Sequence, residues 1–126
     1  MTREETVAHW LKGSSDAVEV ARLAHGAGKY ALTLFNCHLA VEKALKAAFI
    51  AEHDREPPPT HNLGMIAGQL TSIRISDDDR TALAELTDYA VAARYDDPNW
   101  AERQATEEAT QQWLARTEQL LTLLQP

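Results

Sequence analysis

Apolar residues return every three or four positions along most of this chain. Nowhere does a sustained apolar–polar alternation rich in β-branched residues appear. The first spacing is that of a helix with one buried face and the second that of a strand, so the pattern predicts an all-α protein. Tyr30 to Phe49 carries it most strongly. The stretch has no Gly or Pro and is made of good helix formers. At about 100° per residue, Tyr30, Leu34, Val41, Leu45 and Ala48 fall on one stripe. Leu32, Phe35, Leu39 and Ile50 fall on a second flank, and Glu42, Lys43 and Lys46 form a short charged cluster between the flanks and on the back. A helix apolar around most of its circumference is buried on more than one side. This predicts one unbroken rod, reaching about His53, in the middle of a bundle or between a bundle face and a subunit contact.

The flanking segments read as shorter helices. Thr2-Arg3-Glu4-Glu5 has the form of a capping box, and the apolar spacing after it predicts a helix to about His25. Gly26-Ala27-Gly28 is its stop. Pro57-Pro58-Pro59 ends the central helix and stiffens the loop. Thr60 is the next candidate N-cap, for a third helix from about His61 to Ser72. Ser76, followed by Asp77, Asp78 and Asp79, opens a fourth, which Tyr95-Asp96-Asp97-Pro98 breaks. Asn99 with Glu102 predicts the start of a fifth, reaching the C-terminus through Ala105, Ala109, Trp113, Leu120 and Leu124. Short linkers between such elements give an up-and-down bundle of four to five helices.

At 126 residues, with 44% hydrophobic and 25% charged residues, the chain reads as one globular domain over 1–126. A domain of this size leaves much helix surface to cover, and a homodimer would cover it. The formal net charge of −7, with only 12 scattered basic residues, argues against general DNA or RNA binding. A small basic pocket remains compatible with it. Cys37 is the only cysteine, so no disulfide forms within the chain, and its place inside the central helix suits a small core residue. No signal-peptide pattern follows Met1, and no apolar run suits a bilayer. The expectation is a soluble cytoplasmic protein.

The histidines show no i,i+4 pairing with one another, and the acidic runs have a cap-and-turn explanation, so no metal site is expected. Gly26 to Lys29 lacks the length and the strand of a phosphate-binding loop. Trp10, Trp100 and Trp113 read as core or seam. Glu42 and Lys46 stand i,i+4 in the favourable order. They form either an ordinary ion pair or, with Lys43, the lining of an anion pocket. His38, four residues before Glu42, is either a hydrogen-bonded core residue or a polar group at a seam or pocket. His61 either closes the Pro loop by bonding a carboxylate such as Glu42 or meets a ligand as an imidazole titrating near neutral pH. Arg94 and Tyr95 end the fourth helix, as a structural clamp or as a phosphate contact with a stacking ring.

Ala40-Val41-Glu42-Lys43-Ala44-Leu45-Lys46, then Pro59-Thr60-His61-Asn62-Leu63, then Ala93-Arg94-Tyr95, in that order, resemble the HEPN domain family over nearly the whole chain. The resemblance implies a helical bundle that usually dimerises and often partners a small, minimal nucleotidyltransferase. Some relatives are ribonucleases or toxins of toxin–antitoxin pairs, and others bind nucleotides. The ribonuclease branch needs Arg-x4-6-His near the junction of the late helices. After Arg94 the corresponding positions hold Asn99, Trp100 and Ala101. Two chance matches, Arg3 to His9 and Arg55 to His61, lie elsewhere. The sequence thus points to a non-catalytic module without a cofactor that binds a nucleotide or substrate. Lys43, Lys46, His61, Arg94 and Tyr95 are its ligand-binding candidates, and His38 and Glu42 support them. A divergent ribonuclease is the alternative.

Overall fold

A computed structural model describes residues 1–95, 103 and 105–126, the side chains of 93–95 excepted. Its described residues form five helices and no strand: α1 (Arg3–Gly26), α2 (Tyr30–His53), α3 (Leu63–Ala67), α4 (Asp77–Tyr95) and α5 (Glu107–Leu123). Helix α1 starts where Thr2 Oγ1 accepts the Glu5 amide at 3.1 Å. It ends in a turn closed by the Lys29 amide on the Ala24 carbonyl at 2.8 Å, with Gly28 at φ +74°. That left-handed conformation costs glycine little, and it sends the chain straight back into α2.

The two long helices form an antiparallel hairpin. Arg3 reaches the Ala51 carbonyl, Lys46 lies over Trp10, and Ser14 Oγ donates to the Ala40 carbonyl at 2.7 Å. The buried face of α1 is Ser14, Ala17, Val18, Ala21 and Ala24. Side chains this small leave room for the larger residues of α2. Gly13 continues the logic, because a Cβ there would stand 3.0 Å from both Cδ and Nζ of Lys43.

Helix α2 is the interior rod that its composition predicts. Its 24 residues run without a break, roughly 36 Å. Val41, Leu45 and Phe49 are fully buried with Leu63 and Ile66 of α3, Leu83 and Leu86 of α4, and Leu120 of α5. The second flank is only partly interior. Ile50 is buried, Phe35 and Leu39 are half-buried, and Leu32 is 44% exposed. No described helix is long and apolar enough to cross a membrane.

Two boundaries differ from the sequence expectation. The third helix is one turn rather than the span His61 to Ser72. Asn62, not Thr60, caps it, accepting the Met65 amide at 3.1 Å. The Thr60 hydroxyl instead accepts the Asn62 amide in the preceding turn. Gly68 closes the helix through its amide on the Gly64 carbonyl, and two glycines in so short a segment weaken any continuation. The last helix begins at Glu107. Thr106, extended, caps it by accepting the Ala109 amide at 3.2 Å, so Ala105 is outside it. The predicted Asn99 cap lies outside the described residues. At the fourth helix the reading holds: Ser76 and Asp79 exchange side chain–amide bonds as a reciprocal cap.

Candidate functional site

Glu42 is the centre of the polar cluster. It projects from the middle of α2 and its side chain is only 6% exposed. A carboxylate so withdrawn from water requires charged or hydrogen-bonding compensation. Lys46, one turn on, supplies an ammonium 3.3 Å from Oε2. His61, brought in by the loop that leaves α2, places Nδ1 2.8 Å from Oε1. The carboxylate accepts, so Nδ1 carries the hydrogen. His38, a turn before Glu42, lies 4.0 Å from Oε1 at Nδ1, too far for a hydrogen bond. Its Nε2 donates to the His61 carbonyl at 2.9 Å. Both ends of residue 61 are therefore fixed, the ring by Glu42 and the backbone by His38.

The i,i+4 spacing made His38, Glu42 and Lys46 neighbours as soon as α2 formed. Only the loop could add His61, and it does so over the Pro57–Pro59 run. Lys46 is spent inside the cluster: it is 8% exposed, bonded to Glu42, and 5.6 Å from the Trp10 ring centroid. That distance is within cation–π range. Lys43, half-buried, crosses the α1 backbone at Gly13. Of the cluster, His61 is the member that meets solvent, with its side chain 56% exposed. The side chains of Arg94 and Tyr95 lie outside the described residues.

Sequence reading missed a second carboxylate. Glu52, ten residues along α2, accepts the Thr71 amide at 2.7 Å and the Thr71 hydroxyl at 2.8 Å through Oε1, which the Ser72 amide also meets. Burial pushes this carboxyl up, but the four interactions from Thr71 and Ser72 outweigh it and hold the pKa at about 2, against an ordinary 4.5. His53 Nε2 donates to the Gln69 carbonyl at 2.8 Å and stands equally close to Glu52 Oε2. With the Nε2 hydrogen directed at the carbonyl, Oε2 stands beside the ring without a hydrogen bond. The available signal was slight: a Glu near a helix end with a Thr-Ser pair nineteen residues on.

Cys37 is fully buried. Burial pushes its thiol up to about 11, with the Thr117 hydroxyl pulling slightly the other way and Glu118 adding to the rise. It is a core residue, as its position predicted, and a thiol at that pKa is no nucleophile at neutral pH. No group of three or more His, Cys, Asp or Glu among the described residues could hold a metal ion.

The geometry presents a half-exposed imidazole held at a fixed angle by a buried carboxylate. No curated protein matches the sequence. Among solved structures, the crystal structure of TT1696 from Thermus thermophilus shares the fold. It has a TM-score of 0.83 and 23% sequence identity, over 98% of this chain and 97% of that one. The HEPN domain matches residues 7–125, nearly all of the sequence. With that match and a bundle threaded by an interior α2, the chain belongs to the HEPN domain family.

Proposed function

We propose that this HEPN domain is a non-catalytic binding module, a homodimer that serves as the nucleotide- or substrate-binding partner of a minimal nucleotidyltransferase. The observation that carries the reading is the clamped, half-exposed His61. Its ring is bonded to buried Glu42 and its carbonyl to His38. With Nδ1 given to Glu42 and the carbonyl to His38, the ring presents Nε2 to a ligand at a fixed angle, without losing side-chain freedom on binding. Lys46 neutralises the carboxylate from inside, so the ligand meets His61 first. Lys43, Arg94 and Tyr95 remain proposed contacts, Arg94 for phosphate and Tyr95 for the base.

A second reading rests on the same pair. With Nδ1–H held by Glu42, a neutral His61 has its lone pair on Nε2, the arrangement of a general base. That would make the domain a divergent ribonuclease. RNA incubation and thermal melting separate the two. The binding reading expects RNA to stay intact without metal and the melting temperature to rise with a nucleotide, by linkage. RNA cleavage that His61→Gln abolishes would reverse the assignment.

A further inference from the structure

A cleft of about 480 Å³ opens at the end of the α1–α2 hairpin, where the start of α1, the C-terminal end of α2 and the start of the Pro loop meet. The volume falls among those of small-molecule sites, about 300–1,000 Å³. Trp10, Ile50 and Pro57 form an apolar wall. Trp10 is half-buried, with the Lys46 ammonium 5.6 Å from its ring centroid, and that cation holds the indole as a fixed surface. The rest of the lining carries charge of both signs. Arg3 and Asp54 face each other at 4.0 Å and offset one another. Arg55 and Glu56, also in the lining, are exposed and make no ion pair among the described residues. The Arg55 guanidinium is held 5.3 Å from the Phe49 ring centroid. Asp54 turns the chain with φ +50°, a conformation uncommon outside glycine, and that turn leads from the end of α2 directly to this open pair of opposite charges.

The charge pattern selects the ligand. A phosphate monoester would bring nearly two negative charges towards Asp54 and Glu56, and a plain amine would meet Arg3 and Arg55. A zwitterion satisfies both open groups at once. Its carboxylate takes the planar fork of Arg55, its ammonium takes the Glu56 carboxylate, and an apolar group on the same carbon covers the Trp10 wall. We infer that the cleft binds a free α-amino acid with a large apolar side chain, of the class of phenylalanine. The end of a peptide chain offers only one of the two charges, so it would leave half of the open pair unmatched. The inference does not rest on the nucleotide reading above. Its ligand differs in charge, and the residues that meet it, Arg55 and Glu56, are not among those proposed there.

The test is titration of the ¹⁵N-labelled full chain with L-phenylalanine, following the indole N–H signals. Loss of one signal in Trp10→Phe identifies that of Trp10. The expected result is a saturable shift of the Trp10 signal. Affinity should fall about tenfold in Arg55→Gln and again in Glu56→Gln, each the loss of one charged hydrogen bond. Both residues are exposed, so these substitutions leave the fold intact. N-acetyl-L-phenylalanine, which keeps only the carboxylate, and L-phenylalaninamide, which keeps only the amine, should each bind about tenfold more weakly than the free amino acid. No shift at millimolar L-phenylalanine, or a shift at another indole with Trp10 unmoved, overturns the site. Equal binding of the acetylated or amidated compound overturns the free amino acid in favour of a chain terminus. A Trp10 shift with unchanged affinity in both Arg55→Gln and Glu56→Gln overturns the charge assignment.

Discussion

Helix α2 carries two glutamates that hold the same connecting segment, and they do it by different means. Glu42 pins the loop before α3 through a charged partner on its own helix, Lys46, and through the imidazole of His61 on the loop. Glu52 pins the stretch after α3 with neutral donors, two amides and a hydroxyl from Thr71 and Ser72. The first is an ionic cluster in which each charge requires the other. The second is a lone anion solvated by backbone. Neutral donors fix position at little cost if the acceptor is altered, because each can turn to water at this exposed stretch. A buried charge pair has no such exit, and loss of one member strands the other. The difference separates a mechanical anchor from the proposed recognition group, since the Glu42 cluster leaves the His61 ring half-open to solvent.

Substitutions should rank accordingly. Glu42→Ala leaves the Lys46 ammonium buried without its partner and should cost about 3–5 kcal/mol in urea unfolding. A loss under about 1 kcal/mol would mean that Lys46 escapes to water and that the ionic cluster is not what holds the loop. Glu52→Gln should destabilise less, and its effect should depend on pH. The folded pKa of Glu52 lies below its unfolded value, so its contribution is fully present above about 4.5 and fades as pH falls towards about 2. The gap in urea midpoint between the native chain and Glu52→Gln should therefore narrow from pH 6 to pH 2. A gap constant with pH would show that the amides hold the loop whether or not the carboxyl is charged. His61→Gln, with the ring already half in water, should change stability by about 0.2–1 kcal/mol. The same substitution should nonetheless reduce the nucleotide-induced rise in melting temperature. If it costs as much stability as Glu42→Ala, His61 is a structural clamp and the contrast between the two anchors disappears.

Trp10 and Trp113 extend the contrast to the aromatic residues. Trp113 packs on the core, with its ring 5.5 Å from Tyr89 and its Nε1–H donating to Tyr89 Oη at 3.3 Å. Trp10 stacks instead against a lysine at the rim of a cleft. The sequence offered both as core or seam. Periodicity reports the face of a helix on which a residue lies. It does not report whether the neighbouring element covers that face to its end.

Much of the fold was legible because its causes are local. The Thr2 cap, the Gly28 turn and the interior course of α2 from Tyr30 to His53 follow from residues within a few positions of each other. So does the spacing of His38, Glu42 and Lys46 on one side of that helix. Tertiary structure alone decided what crosses long stretches of chain. Nineteen residues separate Glu42 from His61, nineteen separate Glu52 from Thr71, and thirty-six separate Trp10 from Lys46. Helical spacing carries no information at such distances. It could not show which donors come to rest against a given carboxylate. Those outcomes depend on how the loops close over the bundle, and it is there that the candidate site was made.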